Sequence, residues 1–213
     1  MPSEIETVFE HVVAGDLAAT RAAVQAALAS ALPVEDILKQ GLIAGMAEVG
    51  RNFECGDFFL PDMLLAARAM QAGLELLKPL LQQGNVPPAG RVLIGTVQGD
   101  LHEIGKNLVA MVLEGAGYAV TDLGVDVPPE RFVEAVRAAQ PDVLALSALL
   151  STTIPGMKRT IDALRAAGLR DRVKVIVGGA PVTEQYAQRV GADGYVADAS
   201  QAVGLVQSLT RRP

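Results

Sequence analysis

Five short apolar runs, each followed by an amphipathic helical pattern, occupy residues 91–213. The runs are RVLIGTV, YAVTDLG, DVLALSA, VKVIVGG and the shorter GYVA, at 91–97, 118–124, 142–148, 173–179 and 194–197. The second to fourth runs are nearly continuous in Val, Ile and Leu, as is typical of buried parallel strands. The helical patterns cover about 104–116, 129–139, 155–167, 183–190 and 201–209. This alternation predicts a doubly wound α/β domain with a five-stranded parallel sheet.

The residues before this domain have a different pattern, in which Ala and Leu recur with a helical period and β-branched runs are missing. Four helices are predicted, at about 2–14, 17–31, 33–53 and 60–81. Gly15 is a stop signal, Asp16 is an N-cap for the second helix, and Pro79 bends the fourth. GNVPPAG, at 84–90, has no helical periodicity. The prediction is a four-helix bundle cap at 1–84, a linker at 85–90 and the α/β domain at 91–213.

The composition argues against several classes of function. The net charge is −6, and no basic stripe is present that would neutralise phosphates, so nucleic acid is not an expected partner. No apolar run is long enough for a signal peptide or a membrane span, which predicts a cytoplasmic protein with no membrane partner. The single cysteine, Cys55, has no second thiol with which to form a redox pair.

The loop after the first predicted strand carries the most informative residues. If the strands follow the flavodoxin-like order, ligands bind in a crevice beside the loops after the first and third strands. The first of these loops reads Gln98-Gly99-Asp100-Leu101-His102-Glu103-Ile104-Gly105. His102 is a candidate metal ligand, and Asp100 can accept a hydrogen bond from one ring nitrogen and leave the other free. Gly105 lets a large ligand approach the next helix, because it has no side chain. Lys106 and Asn107 are interpreted as the exposed start of that helix.

The loops after the third and fourth strands complete the predicted cavity. The third strand ends at Ser147-Ala148-Leu149 and is followed by the hydroxyls of Ser151 and Thr152, one of which can relay a proton to Asp100. Gly178-Gly179-Ala180 ends the fourth strand and removes side chains from a stretch of backbone, as a deeply inserted ligand requires.

Taken together, these residues resemble the cobalamin-binding signature of methionine synthase and of the corrinoid proteins of methyltransferase systems. The matching parts are Asp100-x-His102-x-x-Gly105, Ser147-x-Leu149 and Gly178-Gly179. That family also places a helical bundle before its α/β domain, and FFLPDMLLAARAM, at 58–70, resembles a characteristic segment of the bundle.

The resemblance implies a site for cobalamin in the base-off/His-on state, cycling between methylcobalamin and a Co(I) corrinoid. His102 would be the lower cobalt ligand, with Asp100 and Ser147 completing a proton relay. The dimethylbenzimidazole tail would lie beside Gly178 and Gly179, and Phe59 and Met63 would cover the methyl-bearing face.

The function that the resemblance implies is that of a methyl carrier, which is a subunit and not a complete enzyme. It would accept a methyl group from a substrate-specific methyltransferase and present it to a second one, with a thiol or tetrahydrofolate-type acceptor. A reductive activase is a further expected partner, because Co(I) oxidises readily.

Three alternatives use similar domains. A cobalamin-dependent regulator or light sensor would carry a DNA-binding domain and a Trp in the bundle, and this chain has no Trp. The cobalamin-binding part of a carbon-skeleton mutase typically lacks the helical domain. A receiver domain of a response regulator needs an Asp at the end of the third strand, where Ser147 stands.

Overall fold

The computed structural model describes residues 3–83 and 87–210, and the chain divides into two compact units near residue 88. The boundary falls within the predicted linker, 85–90, of which residues 85 and 86 lie outside the described part of the chain. The first unit is helical and the second is an α/β unit. Along the described residues, none of the helices combines the length and the apolar character needed to cross a membrane.

The helical unit contains four helical stretches, of which the third has a π-helical segment in its middle. The elements are α1 (Glu4–Val13), α2 (Leu17–Ala29), α3 (Val34–Asp36), the π-helix Ile37–Ile43, α4 (Ala44–Cys55) and α5 (Leu60–Gln83). The predicted four-helix arrangement is therefore confirmed. The π-helix was not predicted. Pro79 lies inside α5, as predicted for the fourth helix.

Local capping residues explain where several of these helices begin and end. Ser3 and Glu6 form a capping box at the start of α1, and the Asp16 carboxylate accepts from the Ala19 N–H at 2.9 Å. Gly56 takes a left-handed conformation with φ +83° and ends α4. These caps satisfy backbone groups that a helix terminus otherwise leaves without partners.

The α/β unit contains one parallel sheet with the strand order β2-β1-β3-β4-β5. Its strands are β1 (Arg91–Thr96), β2 (Ala119–Asp122), β3 (Val143–Ser147), β4 (Lys174–Gly178) and β5 (Gly194–Val196). Its helices are α6 (Ile104–Gly115), α7 (Pro129–Ala139), α8 (Pro155–Ala166), α9 (Glu184–Val190) and α10 (Ala199–Thr210). Both the fold class and the flavodoxin-like order are confirmed.

The second strand departs from the prediction of a strand buried on both faces. Only its Val120 is partly covered, while the other three residues of β2 are exposed. The reason is topological, because β2 is an edge strand with a single neighbour, β1. The prediction overestimated its burial.

The two faces of the sheet bury different sets of side chains, because neighbouring residues of a strand point to opposite faces. One face carries Leu93, Leu144, Leu146, Val175 and Val177, which pack with residues of α7, α8 and α9 in one apolar core. Helix α7 contributes Phe132, which is fully buried. The opposite face carries Ile94, Ala145 and Ile176, and it is this face that borders the site described next.

Candidate functional site

The carboxyl ends of β1, β3 and β4 lie side by side. Thr96 pairs with Ser147 across β1 and β3, and Ser147 pairs with Gly178 across β3 and β4. The loops that leave these strands therefore meet at one edge of the sheet. This is the edge at which doubly wound sheets bind ligands, and the predicted convergence of the three loops is confirmed.

A cavity of about 640 Å³ opens at this edge. That volume is within the range of about 300–1,000 Å³ that is typical of small-molecule sites. Apolar residues of the strands and of α6 form much of its wall: Ile94, Ala145, Leu146, Ile176, Val177, Val196, Leu108 and Val109. The polar residues of the wall are His102, Glu103, Lys106, Ser147 and Asp198.

The imidazole of His102 borders the cavity, and its orientation is set by Asp100. The Asp100 Oδ1 atom lies 2.7 Å from the His102 Nδ1 and also accepts from the His102 backbone N–H at 3.1 Å. Because an ionised carboxylate can only accept, Nδ1 carries a hydrogen, and in the neutral ring Nε2 then keeps its lone pair. The side chain is 48% exposed, so Nε2 is within reach of a ligand.

The Asp100 side chain is fully buried and accepts hydrogen bonds at both oxygens. Its Oδ2 atom accepts from the Thr153 hydroxyl at 2.6 Å and from the Leu149 N–H at 2.7 Å. Burial opposes ionisation of Asp100, but the hydrogen bonds from Thr153, Leu149 and His102 together outweigh it and lower the pKa of the carboxyl well below its usual range. The carboxylate is therefore a fixed negative charge behind His102.

Thr153, and not Ser147, supplies the hydroxyl that reaches Asp100. A turn after β3, closed by the bond from the Thr153 N–H to the Leu150 carbonyl at 3.0 Å, brings the Thr153 side chain onto the carboxylate. Ser147 is the last residue of β3, and no hydrogen bond joins it to Asp100 among the described residues; it lines the cavity instead. The sequence predicted a hydroxyl beside Asp100 in this region, and loop conformation decides that Thr153 is the one that bonds it. The relay role of Ser147 stays a prediction.

Three predicted glycines line the cavity, and they differ in the space that a Cβ would find. A Cβ on Gly105 would meet nothing within 4 Å, so this wall is open to a ligand. A Cβ on Gly179, which has φ +132°, would lie 1.9 Å from the Ala148 carbonyl oxygen. A Cβ on Gly178 would lie 2.9 Å from the Val196 carbonyl oxygen. The glycine pair is therefore required by close backbone contacts as well as by the cavity.

The other predicted residues fall into two groups. Glu103, Ile104, Leu149 and Ala180 line the cavity, as expected of cofactor-binding residues. The lining does not include four predicted residues, all exposed in the loops: Gln98, Gly99, Ser151 and Thr152.

The two residues predicted to cover the methyl-bearing face belong to the helical unit. Phe59 is 67% exposed, whereas Met63 is buried with 1% exposure. Their proposed contact with a cofactor stays a prediction.

Lys106 corrects the prediction of an exposed helix start. Its side chain is fully buried, forms an ion pair with Asp122 at the end of β2 and donates to the Asn107 side-chain oxygen at 2.6 Å. Asp122 lies sixteen residues further along the chain, so no local sequence pattern could reveal this partner. Asn107 itself is partly buried.

The chain matches families and relatives that share one cofactor. Residues 90–204 match a family described as a B12 binding domain, and residues 4–78 match a second family with the same description. Dimethylamine corrinoid protein 1 of Methanosarcina acetivorans is 46% identical over 179 residues, which cover 84% of this chain and 84% of that protein. Trimethylamine corrinoid protein 1 of Methanosarcina mazei is 43% identical over 195 residues, covering 91% and 90%.

Two solved structures share the fold over nearly the whole chain. A cobalamin-binding protein from Desulfitobacterium hafniense has a TM-score of 0.80 and 34% identity, covering 97% of this chain and 98% of its own. The methanol:cobalamin methyltransferase complex MtaBC from Methanosarcina barkeri has a TM-score of 0.85 and 30% identity, covering 97% of this chain and 79% of that one.

Proposed function

The chain belongs to the B12-binding corrinoid proteins, and on that basis we propose that it carries a methyl group on bound cobalamin between two methyltransferases. The observation that carries the proposal is the Asp100–His102 pair at the mouth of the apolar cavity. One imidazole is the ligand set required by a metal that brings its other ligands in a macrocycle. The open wall at Gly105 further fits a large ring placed beside His102.

When bound, cobalamin supplies a cobalt ion that takes up and gives up a methyl group. His102 would hold that ion through its Nε2 atom. Asp100 fixes the His102 tautomer and strengthens the ring as a ligand, in the way that carboxylates support metal-bound histidines elsewhere. Thr153 donates to Asp100 and is the next member of this chain of hydrogen bonds. We assign to Thr153 the relay role first expected of Ser147.

The cavity supports the proposed base-off/His-on state, because it offers a place for the nucleotide base of the cofactor. Its aliphatic wall would take the nucleotide base of the cofactor once His102 occupies the position of that base at the metal. Apolar lining suits a flat aromatic base, because burial of apolar surface stabilises binding by about 25 cal/mol per Å². Gly178 and Gly179 lie in this wall and keep the backbone free of side chains.

The names of the relatives indicate which class of methyltransferase the first partner belongs to. Two are named for dimethylamine and trimethylamine, and a structural neighbour is a complex with a methanol methyltransferase. We propose that the first partner is a methyltransferase specific for a methylated amine. The second partner passes the methyl group to a thiol or a folate-type acceptor, and the reductive activase stays a prediction.

Loading and methyl transfer test the two parts of this proposal separately. The full chain is incubated with hydroxocobalamin, desalted and analysed for corrinoid retained per chain. His102→Ala is compared with His11→Ala, because these are the only two histidines of the sequence. We expect the wild type and His11→Ala to retain the corrinoid in a His-ligated state and His102→Ala to lose that ligation.

The loaded, reduced protein is then mixed anaerobically with methyltransferases for mono-, di- and trimethylamine and for methanol, each together with its methylated substrate as the methyl donor. Methylation of the corrinoid with an amine enzyme supports the carrier role and its donor class. Failure of the wild type to retain corrinoid would overturn the cofactor assignment. Retention without methylation by any of the four enzymes would overturn the proposed donor class.

A further inference from the structure

The connection between β2 and α7, residues 122–128, runs beside the loop that carries His102. Its backbone extends the sheet beyond β1, because Val127 forms a parallel bridge with Val97. The Thr96 N–H donates to the Gly124 carbonyl at 2.9 Å, and the Val127 N–H donates to the Thr96 carbonyl at 3.0 Å. The two segments are therefore held together at the end of β1.

Asp126 holds the loop on the side that precedes His102. Its backbone N–H donates to the Asp100 carbonyl at 2.9 Å, and its carboxylate accepts from the Gly99 N–H at 2.6 Å. Asp126 makes both contacts from a left-handed conformation with φ +53°, which is unfavourable for a residue other than glycine. Asp126 bonds two adjacent residues, Gly99 and Asp100, although its own backbone is strained. This combination indicates that the contact is specific.

Asp122 holds the loop on the side that follows His102. One of its oxygens is paired with the buried ammonium of Lys106, and the other accepts from the Gly124 N–H at 2.9 Å. Lys106 lies only four residues after His102, in the first turn of α6. The connection therefore contacts the chain both before His102, through Asp126, and after it, through Asp122.

A further bond completes the support of His102. The Thr96 hydroxyl, which is fully buried, donates to the His102 carbonyl at 2.8 Å. Since Thr96 also donates to Gly124, the same connection is linked to the backbone of His102 itself. The imidazole is oriented by Asp100, and the backbone that carries both residues is oriented by residues 122–128.

We infer that Asp126 and Asp122 are positioning residues, which fix the loop so that the Asp100–His102 pair is preorganised for the metal. This inference rests on the proposed role of His102 as the lower ligand. Neither carboxylate contacts the imidazole, so both act through the backbone and through Lys106.

Amide hydrogen exchange of the cofactor-free protein is the first test. The variants are Asp126→Ala, which removes the acceptor for Gly99, and Asp126→Asn, whose side-chain oxygen replaces it. In Asp126→Ala, we expect the Gly99 and His102 amides to exchange about tenfold faster, the effect of losing one hydrogen bond. Asp126→Asn is expected to stay within about twofold of the wild type. Unchanged exchange in Asp126→Ala would overturn the inference.

Electron paramagnetic resonance of ¹⁵N-histidine-labelled protein loaded with Co(II) corrinoid is the second test. Doublet splitting from an axial ¹⁵N reports the His-ligated fraction, whereas ligation by the cofactor's own base would give a ¹⁴N triplet. We expect Asp126→Ala and Asp122→Asn to lower the ratio of His-ligated to unligated cobalt by about three- to tenfold, which corresponds to one weakened hydrogen bond. Asp126→Asn should restore the ratio.

Asp193→Ala is the matched control for Asp126→Ala. It removes a similar hydrogen bond that should affect stability but not the ligation of cobalt. Asp193 also accepts a backbone N–H, from Val175 at 2.7 Å, but near the amino end of β4 and away from the His102 loop. Its loss should lower the melting temperature and leave the ligation ratio unchanged. An equal fall of the ratio in Asp193→Ala and Asp126→Ala would overturn the positioning role. A wild type without the ¹⁵N doublet would instead contradict the proposed ligand role of His102, and the exchange experiment would still decide whether Asp126 orders the loop.

Discussion

The two units of the chain bury polar groups in different ways. Of the six buried polar side chains among the described residues, five belong to the α/β unit and only Thr20 belongs to the helical unit. In the α/β unit, Asp100, Lys106 and Thr153 all have hydrogen-bond partners. The Thr20 hydroxyl finds none among the described residues. The buried polar groups of the α/β unit are therefore paired by hydrogen bonds, and the interior of the helical unit is mainly apolar.

The difference separates two structural requirements: paired polar groups around His102 in the α/β unit, and close packing of helices in the helical unit. A buried charge is unfavourable unless it is paired, so the groups around His102 form a cooperative set in which each loss exposes another group. Small residues such as Gly41 and Gly45 instead allow close helix contact in the helical unit, where an added Cβ would lie 2.9 Å from Val8 or Val12. Equivalent substitutions should thus have larger effects in the α/β unit.

The largest contrast is expected between two glycines. Gly179→Ala would place a Cβ 1.9 Å from a carbonyl oxygen at φ +132°, which should lower the free energy of unfolding by about 3–5 kcal/mol. Gly50→Ala, in the interior of α4, has open space around its Cβ and should raise it by about 0.5–1 kcal/mol. Urea unfolding followed by circular dichroism measures both, and equal effects would break the comparison.

The second contrast depends on pH. Asp100→Asn should reduce the free energy of unfolding by about 2–3 kcal/mol at pH 7, because the carboxylate accepts several buried hydrogen bonds. Since folding lowers the pKa of Asp100, the stabilisation is fully present above the usual carboxyl pKa of about 3.9 and is lost as the pH falls below it. The difference between wild type and variant should be constant from about pH 5 to 8 and shrink in acid. A gap that widens in acid would contradict this sign.

The third contrast compares a buried lysine with an exposed one. Lys106→Met leaves Asp122 without its ion-pair partner, and we expect a loss of about 2 kcal/mol, less than for a wholly buried pair because Asp122 is 39% exposed. Lys39→Met removes the exposed pair with Glu35 in the helical unit and should leave the urea midpoint unchanged. A neutral Lys106→Met would show that the buried pair has no structural role.

The smallest contrast concerns two buried threonines. Thr153→Val removes a donor to Asp100 and should lower the free energy of unfolding by about 1–2 kcal/mol. Thr20→Val replaces a hydroxyl without a partner and should be neutral or stabilising by up to about 1 kcal/mol. Thermal melts measure the change in stability of both variants. A destabilising Thr20→Val would mean that the helical unit also depends on buried polar contacts.

The fold was largely predictable because it follows from local periodicity. Alternating strands and helices predicted the sheet and its order, and helix caps such as Asp16 predicted where helices begin. The exposure of β2 was not predicted, since edge position is decided by the strand order and not by the composition of the run.

The site was predictable only where its residues share one loop. Asp100 and His102 are two residues apart, so their hydrogen bond follows from the sequence. Thr153, Lys106 and Asp126 act through partners 53, 16 and 27 residues away, respectively. Such contacts depend on tertiary structure, and a single sequence carries no signal for them.

The central claim is that His102 ligates the cobalt of a bound corrinoid, and isotopic labelling tests it most directly. The chain is prepared with ¹⁵N-histidine, loaded with cobalamin, reduced to Co(II) and studied by electron paramagnetic resonance, with His11→Ala and His102→Ala in parallel. The account predicts that the triplet splitting from an axial ¹⁴N becomes a doublet on labelling in the wild type and in His11→Ala, and that no histidine splitting remains in His102→Ala. A triplet that labelling does not change, or a doublet that survives in His102→Ala, would contradict it.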